Sequence, residues 1–230
     1  MTSTCWRPVK VPIPSSLQSA FMGLVLAWFA FSSLGQAEDW PQWLGANRDA
    51  EWREGGIIAR FSKEAPKLRW ESKLGAGYSG PAVAQGWVFV MDRLAVEVDP
   101  DKARLLHGDP SPGNINFVRK LQPGRERLVC LNEADGKLLW AHEWDCPYTT
   151  VAAYAIGPRA TPTVDGDRVY ALGSEGNLFC LNSKTGVVHW SCDFKKNYGL
   201  EIPEWGTAAH PLVHGERLIC IVGGGHLRCV

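Results

Sequence analysis

The sequence lacks a net charge, since its 230 residues contain 24 Lys and Arg against 24 Asp and Glu. A protein that binds nucleic acid through the phosphates needs a basic face, so this balance argues against a nucleic-acid partner. The sequence also lacks a long hydrophobic run. Its longest run, residues 20–31, is too short for a membrane span, which needs about 20 apolar residues. No stable membrane span is predicted.

Motifs of catalysis are lacking too. His142-Glu143 is followed by no second histidine at the spacing of a zinc-protease helix. The glycines at 223–225 precede no helical pattern, so they do not form a phosphate loop. Ser79 and Ser174 lack the G-x-S-x-G context of an activated serine. The sequence therefore predicts no catalytic residue and no metal site.

The first 37 residues indicate a secretory signal peptide. Arg7 and Lys10 precede the apolar run 20–31, and Gly35 and Ala37 are small residues at the expected cleavage positions. The alternative is a membrane anchor, which the shortness of the run disfavours. We expect cleavage after Ala37 and an exported protein, periplasmic or at the cell surface.

A repeat is the main feature of the remaining sequence. The segment RLVCLNEADGKLLW, residues 127–140, returns fifty residues later as NLFCLNSKTGVVHW, residues 177–190. Each copy has two short apolar runs separated by a loop that begins with Asn and ends with Gly, which is typical of a β-hairpin. The tryptophans at the same place in each unit, Trp140 and Trp190, are expected to wedge between neighbouring units.

The repeat unit extends upstream and contains four strands. Residues 160–181 align with residues 209–230, forty-nine positions further along. Strands are predicted to start near Pro162, Arg168, Asn177 and Val187. Four short antiparallel strands repeated at this period form a propeller blade. The predicted fold is an all-β propeller, incomplete, with about three blades.

The units divide the chain as follows: a signal peptide, 1–37; an N-terminal segment with a closing-type strand, 38–76; a first blade, 77–146, with an insertion at 94–125; a second blade, 147–196; and a truncated third blade, 197–230. Insertions in repeat proteins lie in loops of one face, often the binding face. A solvated loop without a role is an equal alternative for this insertion. Its aspartates, Asp99, Asp101 and Asp109, lack the spacing of a calcium loop.

Two sets of residues are singled out. Side chains of the long connections between blades are expected on one face near the axis, and the candidates are Tyr154, Arg159, Trp205 and His210. The structural positions of the repeat are Trp70, Trp140, Trp190, Cys130, Cys180 and Cys229. The three cysteines of this set are expected to be small core residues. Any disulfide among Cys146, Cys192 and Cys220 is left unassigned.

The repeat resembles the PQQ-like β-propeller family, and residues 160–190 follow its pattern almost throughout. The opening DWPQW at residues 39–43, followed by Gly45, Asn47 and Arg48, is similar to the start of exported members, many of them bacterial. The family includes quinoprotein alcohol dehydrogenases, which bind pyrroloquinoline quinone and calcium, and a non-enzymatic scaffold of outer-membrane protein assembly. The resemblance thus implies a propeller and leaves two activities open.

The function favoured by the sequence is an exported, non-catalytic binding or scaffold module for a protein, peptide or glycan. The alternative is a dehydrogenase that depends on pyrroloquinoline quinone and calcium, or a fragment of one. No two cysteines are adjacent, although adjacent cysteines are a mark of those dehydrogenases. The sequence ends one residue past Cys229, where a loop and a Trp-bearing strand are expected. The remaining blades are therefore expected from missing sequence or from another chain.

Overall fold

The described part of the chain consists of short antiparallel β-strands. The structure, a computed structural model, describes residues 38–56, 60–61, 63, 66–96, 105–107, 119–120, 122–147, 156–203, 205–223 and 226–229. The chain divides into two units, Met1–Glu38 and Asp39–Val230, and everything below concerns the second. The predicted signal peptide, Tyr154 and most of the insertion lie outside the described residues.

Six strands belong to the first blade and its insertion: β1 (Ala82–Ala84), β2 (Trp87–Ala95), β3 (Leu105–His107), β4 (Arg119–Lys120), β5 (Gly124–Asn132) and β6 (Leu138–Asp145). The blade is the antiparallel sheet β1-β2-β5-β6, and β3 pairs with β4 in a separate ribbon. The insertion spans 96–123 rather than 94–125. The reason is that Leu94 pairs with Arg125, and Ala95 with Gly124, within the β2–β5 ladder.

The second and third blades follow the same plan: β7 (Thr163–Asp165), β8 (Arg168–Leu172), β9 (Asn177–Asn182), β10 (Val188–Asp193), helix α1 (Phe194–Tyr198), β11 (Leu212–His214), β12 (Arg217–Gly223) and β13 (His226–Cys229). The second sheet has the order β10-β9-β8-β7, and the third, within the described residues, has the order β11-β12-β13. The predicted incomplete propeller of four-stranded antiparallel blades is confirmed. Among the described residues, no helix has the length and hydrophobicity that crossing a bilayer requires.

The hairpin loops adopt the conformation that their sequence favours. The Asn132 side chain accepts a hydrogen bond from the Ala134 backbone N–H at 2.8 Å, and Asn182 accepts from Lys184 and Thr185 in the same way. Gly136 and Gly186 end the loops with φ of 69° and 71°. This left-handed conformation strains a residue that has a Cβ, which explains glycine at both positions.

The hydrophobic cores lie between the blades. One core joins the first two blades, with Phe89, Met91 and Leu128 packed against Val169 and Leu181. A second core joins the second and third blades through residues such as Leu172, Leu178, Leu218 and Val222. Burial of one such side chain contributes about 1.5–3 kcal/mol, so each blade is stabilised by its neighbours.

Two cysteines of the repeat, Cys130 and Cys180, lie in these cores. Cys130 and Cys180 are fully buried thiols, and they pair with Phe89 and Tyr170 at the same register of their blades. Burial raises the pKa of the Cys130 thiol to about 12. Cys229 pairs with Ile219 in the equivalent ladder of the third blade. Cys192 also carries a free thiol.

Two tryptophans of the repeat, Trp70 and Trp140, each contact the hairpin loop of the blade that follows them in the chain. Trp70 Nε1 donates to the Glu133 carbonyl at 2.8 Å, and Trp140 Nε1 donates to the Ser183 carbonyl at 3.1 Å. Trp70 was expected to lie on a strand, but residues 66–75 form none among the described residues. Its place is set instead by its contact with the loop of the first blade.

The N-terminal segment, residues 39–48, crosses the innermost strands of all three blades. Trp40 pairs with Val83 of β1, and the Pro41 carbonyl accepts from the Val164 N–H of β7 at 2.8 Å. Arg48 Nη2 then donates to the carbonyl of Pro211, just before β11, at 2.8 Å. The segment therefore contacts the first, second and third blades in turn.

Candidate functional site

The sheets have two ends with different chemistry. We call the end at which the long connections enter β1, β7 and β11 the connection face. The opposite end, which carries the hairpin loops 132–136 and 182–186, is called the turn face. Because the strands within each blade alternate in direction, all three long connections meet at the same end.

Three residues of the connection face, joined by contacts of the Arg159 side chain, form an aromatic–arginine cluster: Tyr78, Arg159 and Trp205. The Arg159 guanidinium carbon lies 4.6 Å from the centre of the Tyr78 ring, and Arg159 Nε donates to the Trp205 carbonyl at 2.8 Å. Tyr78 is 51% exposed and Trp205 is 41% exposed. Tyr78 precedes β1, Arg159 precedes β7 and Trp205 precedes β11, so each blade supplies one member.

A buried network of hydrogen bonds among Thr207, Ser174 and Glu126 lies next to this cluster. The Thr207 N–H donates to the Ser174 carbonyl at 2.7 Å, and Thr207 Oγ1 donates to the Gly173 carbonyl at 2.5 Å. The Ser174 hydroxyl and N–H in turn donate to the Glu126 carboxylate at 2.5 and 3.1 Å. Since Thr207 follows Trp205 by two residues, the network fixes the backbone that presents the indole.

Glu126 is the most perturbed acid of this network. It is completely buried, and desolvation raises the pKa of its carboxyl; the hydrogen bonds from Ser174 oppose the shift, and nearby Glu175 adds to it. The sequence analysis missed this residue, because a glutamate in a strand normally lies on a solvated face. The one available signal was its position, on the side of β5 that also carries Leu128 and Cys130.

His210 has a structural environment. Its Nδ1 accepts a hydrogen bond from the Thr161 N–H at 2.7 Å, and its ring stacks on Trp43 with centroids 4.4 Å apart. Burial, with a smaller contribution from Arg48, lowers the pKa of His210, so the ring is neutral and accepts. Of the four candidate residues, the structure brings Arg159 and Trp205 into contact and places His210 against the N-terminal segment.

The buried acids of the described residues are engaged in structural contacts. Arg127 binds both carboxylate oxygens of Asp92 at 2.6 and 2.8 Å, and Lys195 Nζ contacts Glu175 at 2.5 Å. Within the described ranges, no three His, Cys, Asp or Glu side chains come together as metal ligands.

Comparison with known proteins identifies the family to which this chain belongs. The family model described as outer membrane protein assembly factor BamB matches residues 54–230. No curated protein matches the chain. Among solved structures, BamB from Moraxella catarrhalis is 17% identical, with a TM-score of 0.31; the match covers 70% of this chain and 49% of that one. The chain thus spans about half the length of that protein.

A europium-containing methanol dehydrogenase is 15% identical, with a TM-score of 0.23; the match covers 51% of this chain and 25% of that one. Because both TM-scores are below 0.5, no conclusion is drawn from these two structures. The match to the family model, in contrast, includes all three blades. Because that match covers well over half of the sequence, the protein belongs to the family of PQQ-like β-propeller repeat proteins that the BamB model describes.

Proposed function

We propose that the protein is an exported, non-catalytic binding module that holds a segment of a protein partner on its connection face. The observation that carries this proposal is the aromatic–arginine cluster, in which the Arg159 side chain contacts the Tyr78 ring and the Trp205 backbone carbonyl, each residue lying just before a different blade. The hydrogen bonds of Thr207 to Ser174 and Gly173 hold the backbone beside Trp205 in place. Such a site suits recognition by a preformed surface.

The chemistry of the cluster supports protein binding. Tryptophan, tyrosine and arginine are the residues most enriched among those that dominate the energy of protein interfaces. An exposed aromatic ring offers apolar area at a small cost in conformational entropy, and the guanidinium supplies donors for carbonyl or carboxylate oxygens. In this cluster the guanidinium lies beside exposed aromatic residues: Arg159 Nε is 2.8 Å from the Trp205 carbonyl oxygen, and the guanidinium carbon is 4.6 Å from the centre of the Tyr78 ring.

The choice of partner rests on the family. The matching family model is described as an outer membrane protein assembly factor, which supports an outer membrane protein in an unfolded or extended state as the partner. The engagement of Asp92, Glu126 and Glu175 in structural contacts also supports binding over catalysis. Titration with a glycan in place of the polypeptide distinguishes a glycan partner from a protein partner.

A titration tests this function. The full-length exported protein is titrated with a labelled outer membrane β-barrel protein diluted from urea, and binding is followed by fluorescence anisotropy. We expect saturable binding that weakens at least about tenfold in Arg159→Ala and in Trp205→Ala. The control is Val187→Ala on the turn face, where a 62% exposed apolar residue is shortened and no change is expected.

Three results contradict the proposal. The first is equal affinity in all variants, and the second is binding to glycans but not to the polypeptide. The third concerns the alternative function: dye reduction with an alcohol, after addition of pyrroloquinoline quinone and calcium, reveals a dehydrogenase. We expect no reduction above the background without protein.

Export is part of the proposal. The basic residues, apolar run and small residues of the first 37 positions support a signal peptide, which lies outside the described residues. N-terminal sequencing of the exported protein is expected to begin at Glu38. A membrane-bound product that retains Met1 indicates an anchor instead.

A further inference from the structure

We propose that the connection face selects a carboxylate of the segment that it binds, and that Arg159 determines this specificity. The inference rests on the proposed function, because it names the chemistry that the same site recognises. The carboxylate belongs to an Asp or Glu side chain or to the end of a polypeptide. The part of the Arg159 guanidinium that the fold leaves unused carries the specificity.

The guanidinium of Arg159 has more N–H donors than the fold uses. Its Nε donates to the Trp205 carbonyl at 2.8 Å, and the Tyr78 ring lies 4.6 Å from the guanidinium carbon. Among the described residues, Nη1 and Nη2 have no hydrogen-bond or ion-pair partner. A pair of donors at the end of the side chain is therefore available to a ligand.

Backbone contacts hold the Arg159 segment against the Tyr78 segment. The Tyr78 N–H donates to the Pro158 carbonyl at 2.8 Å. Gly157 has a φ of 139°, and a Cβ at this position would lie 2.6 Å from the Ala76 carbonyl oxygen, so glycine permits the close approach of the two connections. The ring contact of the guanidinium is thus preformed, which lowers the entropy lost when a ligand binds.

The carbonyl that holds Nε is fixed as well. It belongs to Trp205, and the next residue, Gly206, donates its N–H to the Pro203 carbonyl at 2.9 Å within a turn. Tyr78 is 51% exposed and Trp205 is 41% exposed, so apolar area is available beside the guanidinium. An apolar residue next to the carboxylate in the bound segment can pack on this area.

Charge identifies the ligand as an anion. Arginine carries a permanent positive charge, and no carboxylate of the described residues forms an ion pair with Arg159. The acids of the adjoining network, Glu126 and Glu175, are buried and engaged by Ser174 and Lys195. A carboxylate offers two oxygens that match the paired donors of a guanidinium. Phosphate sites use several backbone N–H groups at the start of a helix, which the cluster does not supply.

The test uses the full-length exported protein and four versions of one short labelled peptide of serine and leucine. The central residue is Glu or Gln, and the C-terminus is a free acid or an amide. Fluorescence anisotropy at low ionic strength measures the dissociation constants. We expect a carboxylate to tighten binding about 10- to 100-fold over the version with Gln and amide, because hydrogen bonds to charged groups are the strong ones. The Glu amide and the Gln acid distinguish a side-chain carboxylate from a chain end.

Substitutions in the protein locate the specificity. Arg159→Gln is expected to bind all four peptides as weakly as the wild type binds the version with Gln and amide. Arg159→Lys keeps the charge but loses the planar pair of donors, so we expect it to retain only part of the preference. Arg168→Gln is the matched control, because Arg168 is an exposed arginine of the turn face; it is expected to keep the wild-type preference.

A second measurement covers the case in which Arg159→Gln does not fold. In ¹⁵N NMR spectra of the wild type, the Arg159 side-chain signal is expected to move with a carboxylate peptide and to stay in place with the version that has Gln and amide. An Arg159 signal that does not respond overturns the proposal. So does an unchanged preference in a folded Arg159→Gln protein.

The remaining outcomes separate this proposal from the proposed function. Equal binding of all four peptides to the wild type overturns the carboxylate specificity but leaves protein binding by the connection face intact. Binding of none of them overturns it too, and the titration with the outer membrane protein then decides whether the proposed function also fails. Displacement of the bound peptide by inorganic phosphate at a lower concentration than by acetate shows a phosphate site instead.

Discussion

Glu126 couples the junction of the first two blades to pH. Its carboxyl is fully buried beneath Ser174, and burial raises its pKa above the ordinary value of 4.5, with Glu175 adding to the rise and Arg93 opposing it. The folded state therefore binds the proton more tightly than the unfolded state. The stabilising contribution is complete below pH 4.5 and is lost as pH rises through the raised pKa.

We therefore expect Glu126→Gln to remove one component of the pH dependence of stability. Urea unfolding of wild type and variant, measured at intervals from pH 4.5 to pH 8, gives the difference in free energy of unfolding at each pH. This difference is expected to shift in favour of the variant as pH rises, because Gln cannot ionise. A difference that is constant with pH contradicts the assignment of a raised pKa.

The loop glycines permit a matched test of the tryptophan contact. Gly186 and Gly166 both have positive φ, 71° and 57°, but a Cβ at Gly166 meets no atom within 4 Å, whereas at Gly186 it meets the Trp140 ring. Gly166→Ala is expected to cost about 1 kcal/mol from backbone strain alone. Gly186→Ala is expected to cost at least about 1 kcal/mol more, because the ring has to move. Equal losses in chemical denaturation contradict this contact.

The stack of Trp43 on His210 is one of the contacts by which the N-terminal segment is held on the blades. Burial lowers the pKa of His210 below 6.5, and Trp43 covers its ring. A lowered histidine pKa stabilises the folded state above the unfolded pKa, and this contribution is lost as pH falls. We expect Trp43→Ala to raise the pKa of His210 toward 6.5, which NMR titration of the imidazole measures. An unchanged pKa shows that cover by Trp43 does not cause the shift.

The insertion can be tested as a separate element. Ala95 and Gly124 face each other at the end of the β2–β5 ladder, so a two-residue Asn-Gly turn can replace residues 96–123. We expect this variant to keep the wild-type melting temperature within a few degrees, since the core of the blade lies in residues such as Phe89 and Leu128. Loss of cooperative melting shows instead that the insertion holds the blade together. Partner binding by the folded variant decides between a binding loop and a solvated one.

The features that could be predicted from the sequence are those that depend on local, repeated patterns. The strands, the Asn-to-Gly loops and the tryptophan wedge follow from patterns that recur at fixed spacing. The contact of Arg159 with Trp205, the buried Glu126 and the path of the N-terminal segment depend on packing between residues far apart in the chain. No periodic pattern marks such pairs. The segment around Trp70 was misjudged as a strand because its sequence resembles the outer strands, while its position depends on the loop it contacts.

At the scale of the whole molecule, each blade is stabilised by its contacts with the neighbouring blades. Two of the cores are each shared by neighbouring sheets, and the indoles of Trp70 and Trp140 each donate to the hairpin loop of the following blade. Residues 39–48 connect the inner strands of all three blades. The effect of a substitution in such an array depends on how many of these connections it removes. Chemically identical substitutions in different blades therefore have unequal effects.

Trp140 and Trp190 permit this comparison. Trp140 packs on Gly186, donates to the Ser183 carbonyl and borders the core between the first two blades. Trp190 borders the core between the second and third blades, but no described loop covers its indole. We expect Trp140→Ala to cost about 3–5 kcal/mol and Trp190→Ala clearly less, because Trp190 makes fewer contacts than Trp140 within the described residues. Thermal melts of the full-length protein and both variants measure the difference. Equal losses in the two variants contradict this expectation.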